Sequence, residues 1–196
     1  RSIIANGTEY PCEVLVLAIG HSARDTFEML LGKGVAMQAK SFSMGVRAEH
    51  LQSEIDKSMY GDFAGSEKLP PASYQLWNKF ADRCCYSFCM CPGGSVVASA
   101  SEENTVVTNG MSLHSRNEKN ANSALVVDVH PNDFDGILGG MYFQRELERK
   151  AFVFGGKNYF APSQSIGSFL YNENTAHIEP SYRPGTTECD FAELLP

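Results

Sequence analysis

The run Ser87-Phe88-Cys89-Met90-Cys91-Pro92-Gly93-Gly94 constrains this chain more than any other. It predicts a thiol-bearing strand that stops at a proline, turns through two glycines and continues as a second strand at Val96-Val97-Ala98. Backbone without side chains can come very close to a ligand or to another chain segment, so the turn marks a place of close approach. Alternation along the strand puts Cys85, Ser87 and Cys89 on one face and Cys84, Tyr86, Phe88 and Met90 on the other. The aromatic face is the better core candidate.

Four thiols lie within this short stretch, in the order Cys84-Cys85-x-x-x-Cys89-x-Cys91. The paired C-x-x-C knuckles of structural zinc sites are missing, and residues that alternate along one strand cannot all converge on one ion, so no metal is expected. Buried structural cysteine is the commoner fate of thiols in an apolar strand. Cys89 and Cys91 lie nearest the glycine turn and are the catalytic candidates, redox-active or ligand-facing. The six cysteines, at 12, 84, 85, 89, 91 and 189, are too crowded for a secreted disulfide framework. No apolar run approaches the roughly 20 residues that cross a bilayer, and Arg1 opens a polar stretch rather than a signal sequence. These features predict a cytoplasmic protein with reduced thiols and no membrane partner.

A chain of 196 residues with 43% hydrophobic and 20% charged content can bury a real core as one large domain or two small ones. Its net charge of -7 is not gathered into any block. That argues against nucleic acid, and against an anionic membrane, as the main partner, because both reward clustered Lys and Arg.

Ile3-Ile4-Ala5, Asn6-Gly7 and Thr8-Glu9-Tyr10 predict a two-residue hairpin. Val14 to Ile19 is a continuous apolar run of strand length, as in strands covered on both faces, and it stops at Gly20. Ser22 and Asp25 resemble a capping box that opens a helix with Phe27, Leu30 and Leu31 on one face, ending near Gly32 and Gly34. A strand, a glycine and a helix N-terminus suit a cofactor phosphate or ribose, and also form plain connections in many α/β folds. Further along, Met44 to Glu49 reads as a strand, His50 to Met59 as a short helix, and residues 61 to 74 as a loop. Strands are expected at Thr105 to Thr108 and Leu125 to Val129, and a helix from Met141 to Phe152 with a Glu146 to Lys150 pair, ending at Gly155-Gly156. The last stretch, with Pro162, Pro180, Pro184 and Gly185, reads as irregular and superficial. The absence of an initiator methionine and a start inside a sheet are expected of an excised piece of a longer chain.

No H-E-x-x-H or G-x-S-x-G motif is present, so a hydrolase reading has no support. His21, on the Gly20 turn, is the best single histidine candidate, although turn histidines are more often surface hydrogen-bonding residues. Asn109-Gly110-Met111-Ser112 and Asn120-Ala121-Asn122-Ser123 flank a charged loop, Arg116 to Lys119, and composition favours turn chemistry for both.

Taken together, Leu17 to Thr26 (LAIGHSARDT), Phe42 to His50 with its Gly-Val-Arg-x-Glu-His core, Ser87 to Gly94, Asn109 to Ser112 and Asn120 to Ala124 resemble the predicted NAD(FAD)-utilising dehydrogenases. These are bacterial FAD-dependent proteins of largely unknown reaction, related to two-dinucleotide-binding-domain flavoproteins. The likeness extends to Phe143-Gln144-Arg145, Ala161 to Gln164 and Pro180-Ser181-Tyr182, and so covers nearly the whole chain.

The resemblance implies an α+β chain in two parts. Residues 1–38 would be a strand-turn-helix remnant of an FAD-binding α/β domain. Residues 39–196 would be an inserted substrate-side domain, mainly an antiparallel sheet with flanking helices. It implies FAD contacts at Gly20, His21 and Ser22, and at Met90, Pro92, Gly93 and Gly94, with Cys89 and Cys91 toward the isoalloxazine or substrate. Asn109, Ser112, Asn120, Asn122 and Gln164 would offer polar contacts to an unknown small-molecule substrate. The family's G-x-G-x-x-G fingerprint is absent. The main partner is therefore expected to be the remainder of the FAD-binding domain, and this chain is not expected to retain FAD by itself. The implied activity is an FAD-dependent, NAD(P)H-linked oxidoreductase, inactive as the fragment alone. The competing reading is a non-catalytic flavin- or ligand-binding module.

Overall fold

Asn6 and Gly7 both take positive φ, 52° and 79°, and turn β1 (Ser2–Ala5) back onto β2 (Thr8–Pro11) with Ala5 opposite Thr8. The hairpin is the one that Asn-Gly dictates. The computed structural model describes residues 1–173 and 178–196, and the chain divides into two units, Arg1–Met37 and Gln38–Pro196.

The first unit departs from expectation in the middle. Residues 14 to 19 form no strand, and their side chains are exposed, Val14 and Val16 each at 80%. A strand exists only where a neighbour completes its ladder, and among the described residues none pairs with this segment. Helix α1 (Arg24–Gly32) follows as expected, but its N-cap is Ala23 and no side chain caps it. The Asp25 carboxylate accepts instead from the neighbouring Thr26 N–H at 2.8 Å.

The second unit is α+β. Strands β3 (Phe42–Leu51), β4 (Trp77–Phe80) and β5 (Arg83–Cys91) join a later strand, Asn120–Val129, in a four-stranded antiparallel sheet. Helix α2 (Gln52–Tyr60) follows β3 directly. Strands β6 (Gly94–Ala98) and β7 (Thr108–Ser112) form a separate antiparallel ribbon. The Asn120–Val129 strand is β8, and the sheet order is β3-β8-β5-β4. Helix α3 (Gly139–Phe154) closes at Gly155 and carries the Glu146–Lys150 pair at 3.9 Å. Strand β9 (Ala161–Ser163), helix α4 (Ile166–Tyr171), strand β10 (Thr186–Glu188) and helix α5 (Phe191–Leu194) complete the chain, with β9 and β10 parallel.

Three expectations need correction. The strand expected over Thr105 to Thr108 begins only at Thr108. Residues 105–107 lie along α3 instead, where Val106 N–H donates to the Glu148 carbonyl at 3.0 Å. Both asparagine clusters are strand rather than turn, because their side chains find partners inside the fold. The C-terminal stretch is not superficial: Ala161 and Tyr182 join Val96, Val106 and Phe152 in the core cluster. Burying a side chain of that kind contributes about 1.5–3 kcal/mol, which anchors the ribbon and the C-terminal segment to α3.

The alternation expected along β5 holds only to Phe88. Phe88 pairs with Ala124 and Cys91 with Asn122, so three steps on β5 face two on β8, and Cys89 sits at φ 49° in the bulge. The extra residue carries Cys91 onto the face of Tyr86 and Phe88. That face is not the core either, since Phe88 is 62% exposed. Buried Ser87 lies on the opposite face, and its Oγ accepts from Leu76 N–H at 2.7 Å.

Candidate functional site

The Pro92-Gly93 turn does not close a hairpin. It moves the chain from β5 in the large sheet to β6 in the ribbon, and a cleft of about 620 Å³ opens beside it. Its walls are Pro70 and Pro71, then Met90 to Pro92, then the outer end of β7 and its loop from Gly110 to Arg116. The cleft brings together Met90, Cys91, Pro92 and Ser112 of the sequence-derived candidates.

One residue ties together chain segments that border the cleft. Buried Gln52, the first residue of α2, accepts the Gly93 N–H at 2.7 Å through Oε1 and donates through Nε2 to the Ala72 carbonyl at 3.0 Å. Its own N–H donates to the Lys119 carbonyl at 3.1 Å. Asp56, one helical turn on, accepts from Gln52 Nε2 at 2.7 Å and from Ala72 N–H at 2.8 Å. Ser112 Oγ donates to the Pro92 carbonyl at 2.7 Å.

The two glycines are taken up by packing within the chain. Gly93 has φ +47°, and a Cβ there would overlap the Arg116 carbonyl. On Gly94 it would lie 2.6 Å from Ser112 Oγ. The close approach read from the sequence is therefore made to another chain segment.

Behind Cys91 lies a polar cluster. Arg47 of β3 donates through Nη1 to Asn122 Oδ1 at 2.8 Å and through Nη2 to Asn109 Oδ1 at 3.2 Å. Asn122 is fully buried, and its Nδ2 has no partner; Arg47 Nε is likewise buried and unpartnered. Burial lowers the Arg47 pKa and raises that of the Cys91 thiol, so Cys91 is a neutral thiol at pH 7. Its Sγ donates to the Cys89 carbonyl at 3.3 Å, while Cys89 itself is exposed.

Asn120 belongs to an adjoining knot. Its Nδ2 donates to Glu49 Oε1 at 2.8 Å and to the Glu179 carbonyl at 2.9 Å, while Ser181 donates to the Glu49 carboxylate through both N–H and Oγ. Gln164 stands apart from the cleft, with Oε1 accepting from Phe191 N–H at 2.9 Å at the start of α5. Gly20, His21 and Ser22 form an exposed turn in the first unit; Gly20 has φ +73° and open space where a side chain would be. Arg47 lies in the Gly-Val-Arg-x-Glu-His string but its role in the site depends on amides distant in sequence, and Gln52, at a helix start, carries no motif.

A family model described as FAD-dependent protein, C-terminal domain-like, matches residues 41–196. The chain belongs to this family. An uncharacterized protein of Clostridium beijerinckii is 50% identical over 203 residues, covering 100% of this chain and 38% of that protein. The chain therefore spans well under half the length of that relative. Among the described residues no three His, Cys, Asp or Glu side chains are grouped to hold a metal, and no helix is long and apolar enough to cross a membrane.

The cleft does not fit the pyrophosphate of FAD. Such a cradle needs free backbone N–H groups beside unfilled glycines. Here the Gly93 N–H is held by Gln52, and both glycines are packed against the β7 segment and its loop.

Proposed function

We propose that this chain is the substrate-side part of an FAD-dependent oxidoreductase linked to NAD(P)H, of the two-dinucleotide-binding-domain type. In this reading residues 1–38 belong to an FAD-binding α/β domain completed by chain beyond this sequence, with Gly20, His21 and Ser22 at the cofactor. Residues 39–196 cover the flavin and bind substrate. The observation that carries the proposal is a cleft backed, behind Gly110, by a half-buried arginine and a buried asparagine in a chain of an FAD-dependent family. FAD supplies two-electron chemistry when the complete protein holds it. The chain's own contribution is to bind, orient and exclude water: Gln52 fixes the walls, Met90 and Pro92 shape the apolar side, and Arg47 and Asn122 supply polar character. Neutral, buried Cys91 serves packing rather than nucleophilic chemistry.

The test is the visible spectrum of the complete protein, followed anaerobically on addition of NADPH and then NADH. A flavin spectrum that bleaches is expected, with no flavin retained by residues 1–196 alone. Bound flavin that stays oxidised with both reductants would overturn the NAD(P)H-linked oxidoreductase and leave a flavin-binding module.

A further inference from the structure

We infer that the outer edge of β4 is a self-complementary dimer contact, to which a second copy of this chain adds its own β4, antiparallel, about a two-fold axis at Asn78. The contact is independent of the flavin chemistry proposed above.

The first ground is an open ladder. β4 ends the sheet order β3-β8-β5-β4, and among the described residues no strand lies on its outer side. The other edge strand, β3, is mostly half-buried, whereas all four residues of β4 are exposed. Ser87 N–H donates to the Leu76 carbonyl at 2.8 Å, and Trp77 stands opposite Tyr86. Antiparallel hydrogen bonding alternates along a strand, so Asn78 and Phe80, like Leu76, turn their backbone groups toward β5. The N–H and C=O of Trp77 and Lys79 therefore point outward, where they form a template for another strand. The second ground is side-chain exposure. Trp77 is 72% and Phe80 83% exposed, and large aromatic side chains left open along an edge mark an association surface.

The third ground, which chooses a second copy as the occupant, is pairing chemistry. Only residues with outward backbone groups can exchange ladder bonds, so two copies are limited to registers in which Trp77 and Lys79 meet each other or themselves. With Trp77 opposite the partner's Lys79, an ammonium lies against an indole, Leu76 meets the partner's Phe80, and Asn78 meets the partner's Asn78 on the axis. Each pair matches in chemistry and lies on one face of the sheet, and the two-fold symmetry repeats it. Sliding the copies so that Lys79 meets itself opposes like charges and sets Phe80 against Asn78. Sliding them the other way sets Asn78 against Leu76. An edge lysine commonly blocks association; in this strand it selects the register.

The experiment is sedimentation velocity on the full-length protein as purified, over about 1–100 μM, with hydrogen exchange of β4. A concentration-dependent dimer is expected, with the Trp77 and Lys79 amides protected at high concentration and exchanging freely on dilution. Lys79→Pro removes only an outward N–H, a change that edge strands tolerate, and should leave a monomer across that range. Lys79→Glu, which serves if the proline variant does not fold, sets a carboxylate against the indole and should weaken dimerisation about fivefold or more. Asn78→Cys puts a thiol on the axis, at a non-hydrogen-bonded pair whose Cα atoms lie about 4.5 Å apart, and should crosslink two copies under mild oxidation that leaves wild type, with its own six cysteines, uncrosslinked. A protein that stays monomeric throughout overturns the inference; if its β4 amides are protected all the same, chain beyond this sequence holds the edge instead. A dimer that survives Lys79→Pro and does not crosslink through Asn78→Cys overturns it too, because the contact then lies elsewhere.

Discussion

The most apolar run of the chain and one of its most polar runs exchange the places that hydropathy would give them. Val14 to Ile19 is exposed, whereas Asn120 to Ser123 is buried throughout, with Ala121, Asn122 and Ser123 at 0%. The difference lies in partners. Each strand residue has an N–H and a C=O to satisfy before its side chain counts, and β8 has neighbours on both sides while residues 14–19 have none among the described residues. Once its backbone is paired between β3 and β5, β8 can bury amides, because Arg47 and Glu49 stand ready to bond them. Apolar character decides which face of an element is buried only after the element exists.

The sharpest way to break this comparison is to substitute one residue from each run. Asn122→Ala leaves the Arg47 guanidinium without its buried partner and should cost about 3 kcal/mol of unfolding free energy. Val16→Lys, measured in residues 1–196, should change stability by less than about 0.5 kcal/mol, because the side chain already faces solvent. Urea unfolding of both variants gives the answer. A Val16 variant as damaging as the Asn122 variant would mean that residues 14–19 are buried in solution after all.

The same contrast explains what was legible in the sequence. The Asn6-Gly7 hairpin, β3, the C-terminal half of β8 and α3 were readable because local turn chemistry or a clear hydrophobic period specifies them. The α+β class was implied by the family resemblance, and the antiparallel sheet and helices agree with it. Cys91's place was not readable, because a one-residue bulge changes which face every later residue takes, and Cys89 carries no glycine to announce it. Asn109 and Asn122 were read as turn formers because asparagine bonds its own backbone in the absence of other partners. Here Arg47 supplies one, 62 and 75 residues away in sequence. The string containing Arg47 carries part of the family likeness, but the arginine's pairing with two distant amides depends on the register of three strands.

Two glycines extend the comparison to the backbone. Gly20 and Gly93 both adopt positive φ, +73° and +47°, but the first faces open space and the second faces the Arg116 carbonyl. Gly20→Ala should therefore cost only the left-handed backbone term, about 1 kcal/mol. Gly93→Ala adds a collision with backbone that cannot rotate away, and should cost about 2 kcal/mol or more. Midpoints of urea unfolding in the full-length protein rank them. Equal costs would show that the loop carrying Arg116 yields freely, and would remove the packing explanation for Gly93.

The smallest effect concerns His50, at the far end of the same buried polar region. Its Nε2 meets Tyr74 Oη at 2.8 Å, the two rings lie 5.5 Å apart, and its Nδ1 is buried without a partner. Burial lowers the imidazole pKa below its ordinary value of 6.5. As pH falls through that value the unfolded chain takes up the proton first, so the folded state loses stability. The contribution is fully present above pH 6.5 and is lost as pH drops toward the lower folded value. His50→Gln, which keeps a polar group but cannot titrate, should show a shallower loss of stability than wild type between pH 7 and pH 5. The slope difference is expected to be modest because the ring is only half-buried. Identical slopes in the two proteins would mean that His50 is protonated as readily folded as unfolded, and that its orphan nitrogen reaches solvent through Tyr74.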